Sequence, residues 1–178
     1  MLEHCRKYGN SLNPKKSIFV VHQEILFGFL VSKDGMMIDP EITQDIANIS
    51  PPSSKKAMQS FLGKINFVRR FVPSFSEMVR PLQNMIKKDA IFKWGSQENQ
   101  AFNTIKQAIT EAPSLMSPDF TKDFTLYTFA SDRSYVAVLT QKNNDNNEIP
   151  ISFMSSDFKG EKIILLQSAS NIFLFLKR

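Results

Sequence analysis

The chain has 178 residues, enough for one or two small domains, and 42% of them are hydrophobic. Its one cysteine, Cys5, excludes an internal disulfide and a cysteine-based zinc site, and two histidines are too few for a histidine metal site. The first nine residues are polar and charged, so no signal peptide is predicted. The lone thiol favours an intracellular location, cytoplasmic or nuclear, and no apolar run is long enough to predict a membrane partner.

The first fifty residues are predicted to contain a short helix, a β-hairpin and a second helix. The first helix ends at Gly9, and a strand follows at residues 18–21. Residues 24–32 favour a second strand with Gly28 in its interior, where glycine often marks a close approach of another backbone. After a turn, a short return strand at residues 36–38 completes the hairpin.

Capping residues and prolines set the bounds of the next two helices. Asp39 and Pro40 are a cap and a first-turn proline, so a short helix begins there. Ser53 or Ser54 then caps a central helix, which is predicted to span residues 53–73.

The central helix has two faces of different chemistry. At about 100° per residue, one face is an apolar stripe with the spacing of a core-facing helix. The stripe consists of Met58, Phe61, Leu62, Ile65, Val68 and Val72. The opposite face carries Lys55, Lys56, Gln59, Gly63, Phe67 and Arg70. Glycine inside a helix costs roughly 1 kcal/mol relative to alanine, and it lets another backbone approach closely. Two interpretations stay open: a nucleic-acid track, or a second packing face with Gly63 at a helix crossing.

The next segments continue the helical pattern and then change to a linker. Residues 75–86 keep an apolar spacing through Pro81, which predicts a kink or a restart there. This segment and the central helix form a helical hairpin with their apolar faces together. Ser96 caps a third helix at residues 97–112. Its stripe is Phe102, Ile105 and Ile109. Residues 113–118 resemble a linker in composition.

The remainder of the chain is predicted to be mostly β-structure. Strands are expected at residues 124–129, 135–141 and 149–154, with a polar hairpin tip at residues 142–148. A final apolar helix is predicted from about residue 163 to the end. No later element would bury this helix, and the first 14 residues resemble the tail of a helix cut from something larger, so the chain is expected to be truncated at both ends.

The positive charge is concentrated in one quarter of the chain. The net charge is +5, but residues 53–93 alone carry nine basic and two acidic side chains, and each flanking segment is slightly acidic. This distribution favours a polyanionic partner, with a merely solvated basic surface as the alternative. Within the segment, Arg70 points to the polar face, whereas Arg69 flanks the apolar face and is expected to pair with Glu77.

Several sequence stretches occur in an order that is characteristic of one protein family. They are FGFLVSKDGMMIDPE, then PPSSKKAMQSFLGKINFVRRFVPSFSEMVRPLQNMIKK, then FTLYTFASD and PISFMSS. Together they resemble the pol polyprotein of gypsy-class LTR retrotransposons, especially those of plants, over nearly the whole chain. The resemblance implies the end of a reverse transcriptase palm at residues 1–50, a helical thumb at 51–93, and a connection with an incomplete RNase H-like domain at 94–178. The implied fold is α+β: a β-hairpin and helical thumb, followed by a truncated RNase H-like α/β half-domain.

The resemblance also implies nucleic-acid-binding residues and partners. Phe27, Gly28 and Phe29 match a Leu-Gly-His turn that holds the primer's 3′ end, with Phe29 in place of the histidine. Gln59, Gly63 and Phe67 match the groove-facing positions of the thumb helix. The full predicted binding set is Phe27, Gly28, Lys55, Lys56, Gln59, Gly63, Lys64, Phe67 and Arg70. The implied partners are an RNA–DNA or DNA duplex and the remainder of the polyprotein.

The catalytic residues of the family are not matched. Its paired polymerase aspartates would lie upstream of Met1, and no Asp-Asp pair occurs in this chain. RNase H chemistry uses two metal ions, magnesium in this family, held by four carboxylates. The first of these falls on Phe129 and the second on Ser170, while the other two would lie beyond Arg178. The glycines that follow the first ligand are Ser134 and Val136 here. We therefore predict no catalytic residue, metal site or cofactor in this chain itself.

The other acidic residues favour structural roles. Asp132 is expected at the end of a strand, and Asp119 in a turn. Asp157 and Glu161 could pair as acids but have no third ligand near them in the sequence. Three hypotheses follow, in this order: a nucleic-acid-binding fragment of a reverse transcriptase, an inactive relic, and a polymerase or RNase H completed by other chains.

Overall fold

The computed structural model describes residues 2–13, 22–158 and 173–176. In chain order the helices are α1 (Leu2–Lys7), α2 (Pro40–Asn48), α3 (Lys55–Phe67), α4 (Phe75–Met85) and α5 (Ser96–Thr110). The strands are β1 (Gln23–Leu26), β2 (Phe29–Ser32), β3 (Gly35–Ile38), β4 (Phe124–Ala130), β5 (Ser134–Lys142), β6 (Glu148–Asp157) and β7 (Phe173–Leu176). This is a mixed architecture of helices and sheets, as predicted. The strand predicted at residues 18–21 lies outside the described residues.

The first sheet is antiparallel, with strand order β1-β2-β3. The single strand predicted at residues 24–32 is wrong, because the chain reverses at Phe27 and Gly28 and pairs Leu26 with Phe29. Both turn residues have positive φ, 51° and 76°, which suits the two-residue turns that match the twist of a hairpin. Gly28 therefore lies in a turn and not inside a strand. The return strand β3 follows as predicted.

Side-chain caps define the starts of α2 and α3. The Asp39 carboxylate accepts a hydrogen bond of 3.0 Å from the backbone N–H of Glu41, at the start of α2. The Ser54 hydroxyl accepts one of 3.2 Å from the N–H of Ala57, so Ser54 is the cap of α3.

The central helix is shorter than the predicted residues 53–73. It ends at Phe67, and a 3₁₀ turn, Arg69–Phe71, follows. Val72 is extended, with φ −110° and ψ 115°. A residue that precedes proline avoids the α-helical region, so Pro73 favours the extended conformation of Val72.

The last two helices differ from their predictions in detail. α4 runs as one helix through Pro81, without the predicted restart. α5 begins at Ser96, and its N-cap is Gly95. The prediction that Ser96 caps α5 is therefore wrong. The Glu98 carboxylate accepts a hydrogen bond of 3.0 Å from the N–H of Gly95, so a side chain within the first turn stabilises this end.

The core lies between α3, the 3₁₀ turn, α4 and α5. The predicted stripes of α3 and α5 are confirmed. Their buried members are Met58, Phe61, Ile65, Val68, Val72, Phe102, Ile105 and Ile109. Leu62 is partly buried and packs against the same core. Within the described parts of the chain, no helix has the length and apolar character needed to cross a bilayer.

The second sheet has strand order β6-β5-β4-β7 and is antiparallel throughout. Strands β4, β5 and β6 and their polar hairpin tip confirm the sequence prediction. β7 pairs with β4. The predicted terminal helix is therefore wrong for Phe173–Leu176, and the rest of it lies outside the described residues.

Residues 113–118 were predicted as a linker, but this segment forms backbone hydrogen bonds to a strand of each sheet. Leu115 is buried and forms an antiparallel bridge with Met36, through mutual backbone hydrogen bonds of 2.7 and 2.8 Å. The next residue, Met116, donates its N–H to the carbonyl of Pro150 on β6 at 2.8 Å. The segment thus connects β3 of the first sheet to β6 of the second.

Candidate nucleic-acid interface

The outward face of α3 is open and basic. Lys56, Gln59, Gly63 and Lys64 are all exposed. No described atom outside the helix lies within 4 Å of the position that a Cβ on Gly63 would take. For the described residues this contradicts the second packing face with Gly63 at a helix crossing.

Lys55 belongs to a different environment from the rest of the predicted track. Its Nζ donates to the backbone carbonyls of Lys87, at 2.9 Å, and Lys88, at 3.4 Å. These carbonyls follow the end of α4, where cations are favoured by the helix dipole. Lys55 therefore joins the start of α3 to the end of α4, and its predicted role in nucleic-acid binding is not supported by this geometry.

Phe67 packs on one side and is exposed on the other. Its ring stacks on Phe29 with a centroid distance of 4.6 Å and an interplanar angle of 14°. Phe29 also stacks on Phe71, at 5.4 Å and 29°. Phe67 remains 45% exposed. Only one face of this predicted groove-facing ring is therefore open, because the hairpin occupies the other.

The hairpin turn lies against this aromatic cluster. A Cβ on Gly28 would be 2.6 Å from Cδ1 of Ile42 and 3.0 Å from Cε1 of Phe67. Phe27, by contrast, is 92% exposed. Gly28 and Phe67 were predicted in different elements, and the structure places them in contact. Sequence reasoning missed Phe29 as the connecting residue, although an aromatic side chain at the family's histidine position was an available signal.

The two arginines after α3 have different surroundings. Arg69 donates from Nη2 to the Ser155 carbonyl at 2.5 Å. Its predicted partner, Glu77, instead accepts a hydrogen bond of 2.7 Å from the Ser134 hydroxyl, so the Arg69–Glu77 pair is wrong. Arg70 is half-buried, and its Nε has no hydrogen-bond partner among the described residues.

Polar contacts also join α4 to the second sheet. Arg80 and Asp157 form an ion pair of 2.9 Å, and its hydrogen bond raises the pKa of Arg80 above the usual value. The Asp157 carboxylate is therefore paired with the Arg80 guanidinium. Glu161, which was considered as a second acid beside Asp157, lies outside the described residues.

The positions that match the family's metal ligands show no metal site where the structure describes them. Phe129 lies on β4 and is 55% exposed, and a phenyl ring offers no oxygen to Mg²⁺. Asp132 is exposed, and Ser170 lies outside the described residues. In the parts of the chain that the structure describes, no three His, Cys, Asp or Glu side chains are grouped to hold a metal. The described residues at these positions therefore offer no grouped carboxylates to a divalent cation.

Asp119 has the predicted turn chemistry. Its carboxylate accepts hydrogen bonds from the hydroxyl and the N–H of Thr121, at 2.6 and 3.0 Å. These hydrogen bonds, the hydroxyl one first, hold the pKa of Asp119 below its usual value.

Known proteins with similar sequences are retroviral and transposon polyproteins. Residues 94–166 match the RNase H-like domain found in reverse transcriptase. The chain is 34% identical over 160 residues to the Gag-Pol polyprotein of Walleye dermal sarcoma virus, covering 89% of this chain and 9% of that protein. It is 34% identical over 156 residues to the Tf2-3 transposon polyprotein of Schizosaccharomyces pombe, covering 88% of this chain and 12% of that protein.

Solved structures that match this chain include those of a foamy viral protease–reverse transcriptase. The foamy viral protease–reverse transcriptase in complex with an RNA/DNA hybrid matches with a TM-score of 0.69 and 28% identity, over 84% of this chain and 20% of that one. The same enzyme with double-stranded DNA matches with a TM-score of 0.71 and 26% identity, over 87% and 34%.

These similarities define the class of protein. The chain carries an RNase H-like domain of the reverse transcriptase type. It is related to retroviral Gag-Pol and retrotransposon polyproteins, which supports the predicted resemblance to LTR-element pol, and it spans about a tenth of the curated relatives' length.

Proposed function

We propose that this chain is the part of a gypsy-class, plant-like pol polyprotein that holds duplex nucleic acid on the outward face of α3. The observation that carries the proposal is the open surface at Gly63, flanked by exposed Gln59, Lys56 and Lys64. The matching foamy viral enzyme is itself bound to an RNA/DNA hybrid or to double-stranded DNA.

The chemistry of this face suits a polyanion with an accessible groove. Lysine side chains neutralise phosphates, and each contact releases counterions. Gly63 adds no side chain, so a sugar–phosphate edge can approach the helix backbone closely. Gln59, one turn before it, has both a donor and an acceptor for base edges or sugars. These features supply binding without a sequence code, as a polymerase clamp requires.

The proposal extends to the organisation of the chain. Residues 1–50 would be the end of a palm, residues 51–93 a thumb, and residues 94–178 a connection with RNase H-like structure. The other parts of the polyprotein would act as partners, and the site of action would be intracellular. The concentration of basic residues between positions 53 and 93 supports the thumb assignment.

We also propose that this chain supplies no catalytic carboxylate of its own. The support is Phe129, which stands where the family has its first metal ligand and cannot coordinate a cation. Any polymerase or RNase H activity would then need magnesium and carboxylates from elsewhere in a longer polyprotein.

The test is binding of the purified chain to a labelled RNA–DNA hybrid across a salt series, with a Gly63→Glu variant. We expect the logarithm of the affinity to fall with the logarithm of salt by about 0.9 per phosphate contact. Gly63→Glu should abolish binding, because it places a carboxylate against the phosphates. The matched control is Asn103→Glu, which adds the same charge at an exposed position of α5.

Two results would contradict the proposal. Equal binding by the wild-type chain and Gly63→Glu would mean that the face of α3 is not the site. No binding by the wild-type chain would favour an inactive relic, which also predicts that the isolated chain lacks a cooperative thermal transition.

A further inference from the structure

We propose that Phe67 and Phe29 are positioning residues that hold the Phe27–Gly28 turn against α3, so that the turn and the open face of the helix meet one duplex. The inference rests on the proposed function and assigns different tasks to residues that the sequence grouped together. Phe27 contacts the nucleic acid, whereas Phe67 acts through the turn.

The stacked rings are the first part of the evidence. Phe29 is the first residue of β2, directly after the turn, and it lies between Phe67 and Phe71. Stacked aromatic pairs favour offset arrangements with centroids about 4.5–7 Å apart, and both pairs fall within this range. The base of the turn is thus fixed to the C-terminal end of α3 and to the 3₁₀ turn that follows.

Gly28 is held from two further directions. A Cβ at this position would press on the end of the Ile42 side chain of α2 and on the Phe67 ring, and the positive φ of 76° also favours glycine here. Its carbonyl accepts a hydrogen bond of 3.1 Å from the N–H of Asp39, at the start of α2. The turn therefore has a fixed orientation relative to the helix face.

Phe27 is the residue that this arrangement presents. It has a φ of 51°, a conformation that is a genuine outlier for a bulky side chain, and it is 92% exposed. Asparagine or glycine would be favoured at this position of such a turn. A phenylalanine here lowers stability through its backbone and gains little from packing. Its ring is available to stack on a base or sugar next to the stripe formed by Gln59, Gly63 and Phe67.

The experiment is a double-mutant cycle in hybrid binding, with thermal unfolding measured on each variant. We expect Phe27→Ala to weaken binding about tenfold, the scale of one stacking contact, and to leave the melting temperature unchanged. Phe67→Leu should also weaken binding, and in that background Phe27→Ala should have less than a twofold further effect. In a Gln59→Ala background, the control, Phe27→Ala should keep its tenfold effect.

A purely structural role for Phe67 would lower the melting temperature and leave the tenfold effect of Phe27→Ala intact, which would overturn the inference. Wild-type affinity in Phe27→Ala would overturn it too, while Gly63→Glu would still report on the proposed function.

Amide hydrogen exchange separates the two proposals if the wild-type chain binds no hybrid. The reporter is the N–H of Asp39, which donates to Gly28. Phe67→Leu should accelerate its exchange, whereas Phe120→Leu, at an exposed phenylalanine, should not. Unchanged exchange in Phe67→Leu would overturn the positioning role even though the binding assay is silent.

Discussion

The backbone N–H of Ser76 donates to the Ser155 hydroxyl at 2.9 Å, and this bond joins the first turn of α4 to β6. Both residues are buried. The first N–H groups of a helix have no partner within the helix, so Ser155 satisfies a donor that would otherwise be buried alone. The Ser155 carbonyl also accepts the bond from Arg69, and Ser155 thus contacts the chain both before and at the start of α4.

Ser155→Ala should destabilise the chain because it leaves the Ser76 N–H buried without an acceptor. We expect a loss of about 1–3 kcal/mol in the free energy of unfolding, measured by urea denaturation. The control is Ser156→Ala, at a half-buried neighbour whose hydroxyl donates to the adjacent Asp157 carbonyl. Equal losses of unfolding free energy in the two variants would show that the hydrogen bond from Ser76 does not add to stability.

The Arg80–Asp157 ion pair should contribute little, although it is a second link between α4 and β6. The two side chains are 29% and 34% exposed, and pairs of this kind are worth about 0.2–1 kcal/mol. A double-mutant cycle of Arg80→Ala and Asp157→Ala should give a coupling energy in that range. The coupling should shrink in high salt, because the pair is reached by solvent. A coupling that is independent of salt would contradict this account.

Gly63→Ala should have opposite effects on stability and on binding. Its Cβ would meet no described atom, so the substitution should stabilise α3 by about 0.5–1 kcal/mol through backbone entropy. The same methyl group should weaken hybrid binding, since it stands on the face that approaches the groove. Asn103→Ala on α5 provides the comparison and should leave affinity unchanged. An unchanged affinity in Gly63→Ala would mean that the duplex does not approach this glycine.

Lys55 and Lys56 are adjacent but should behave differently. Lys56→Ala should reduce the salt dependence of hybrid binding by about one phosphate contact, 0.9 in the log–log slope. Lys55→Ala should leave the slope unchanged, because its ammonium is bound to the Lys87 and Lys88 carbonyls. It should instead lower stability by about 0.3–1 kcal/mol, as for a cation removed from a helix C-terminus. A smaller salt slope in Lys55→Ala, together with a loss of stability in Lys56→Ala, would contradict these assignments.

Acidification should remove the contribution of Asp119. Its pKa is lowered in the folded state by the Thr121 hydrogen bonds, so the stabilisation is complete above the unfolded pKa and is lost as the pH falls through the folded pKa. Asp119→Asn should therefore melt below the wild-type chain at pH 7, and the difference should decrease towards pH 2. Thermal unfolding monitored by circular dichroism measures it. A difference that grows on acidification would reverse the assigned sign.

The helical region could be predicted largely from periodicity. The stripes of α3 and α5 were correct because each is a one-dimensional pattern with a 3.6-residue period that a core must satisfy. Ser54 and Asp39 were identifiable as caps for the same local reason. The end of α3 was missed by several residues, because the apolar spacing continues through the 3₁₀ turn that follows Phe67.

The contacts between distant segments could not be predicted in this way. Nothing in the spacing of α3 shows that Phe67 would meet Phe29, so the ring was interpreted only as a groove-facing position. Gly63 is open and Phe67 is covered on one side, although both residues lie on the same helical face. Only the tertiary structure distinguishes these two environments. The strand Phe173–Leu176 was missed because a short apolar run is compatible with either helix or strand.

The bridge between Met36 and Leu115 has a consequence for the order of folding. Helices α2 to α5 all lie inside the loop that this pairing closes. Closing a long loop costs conformational entropy before the contact repays it, whereas the helices and their short connections form from local contacts. We therefore expect the helical core to assemble first and the bridge to form late. Substitutions at Leu115 should then accelerate unfolding and leave the folding rate nearly unchanged.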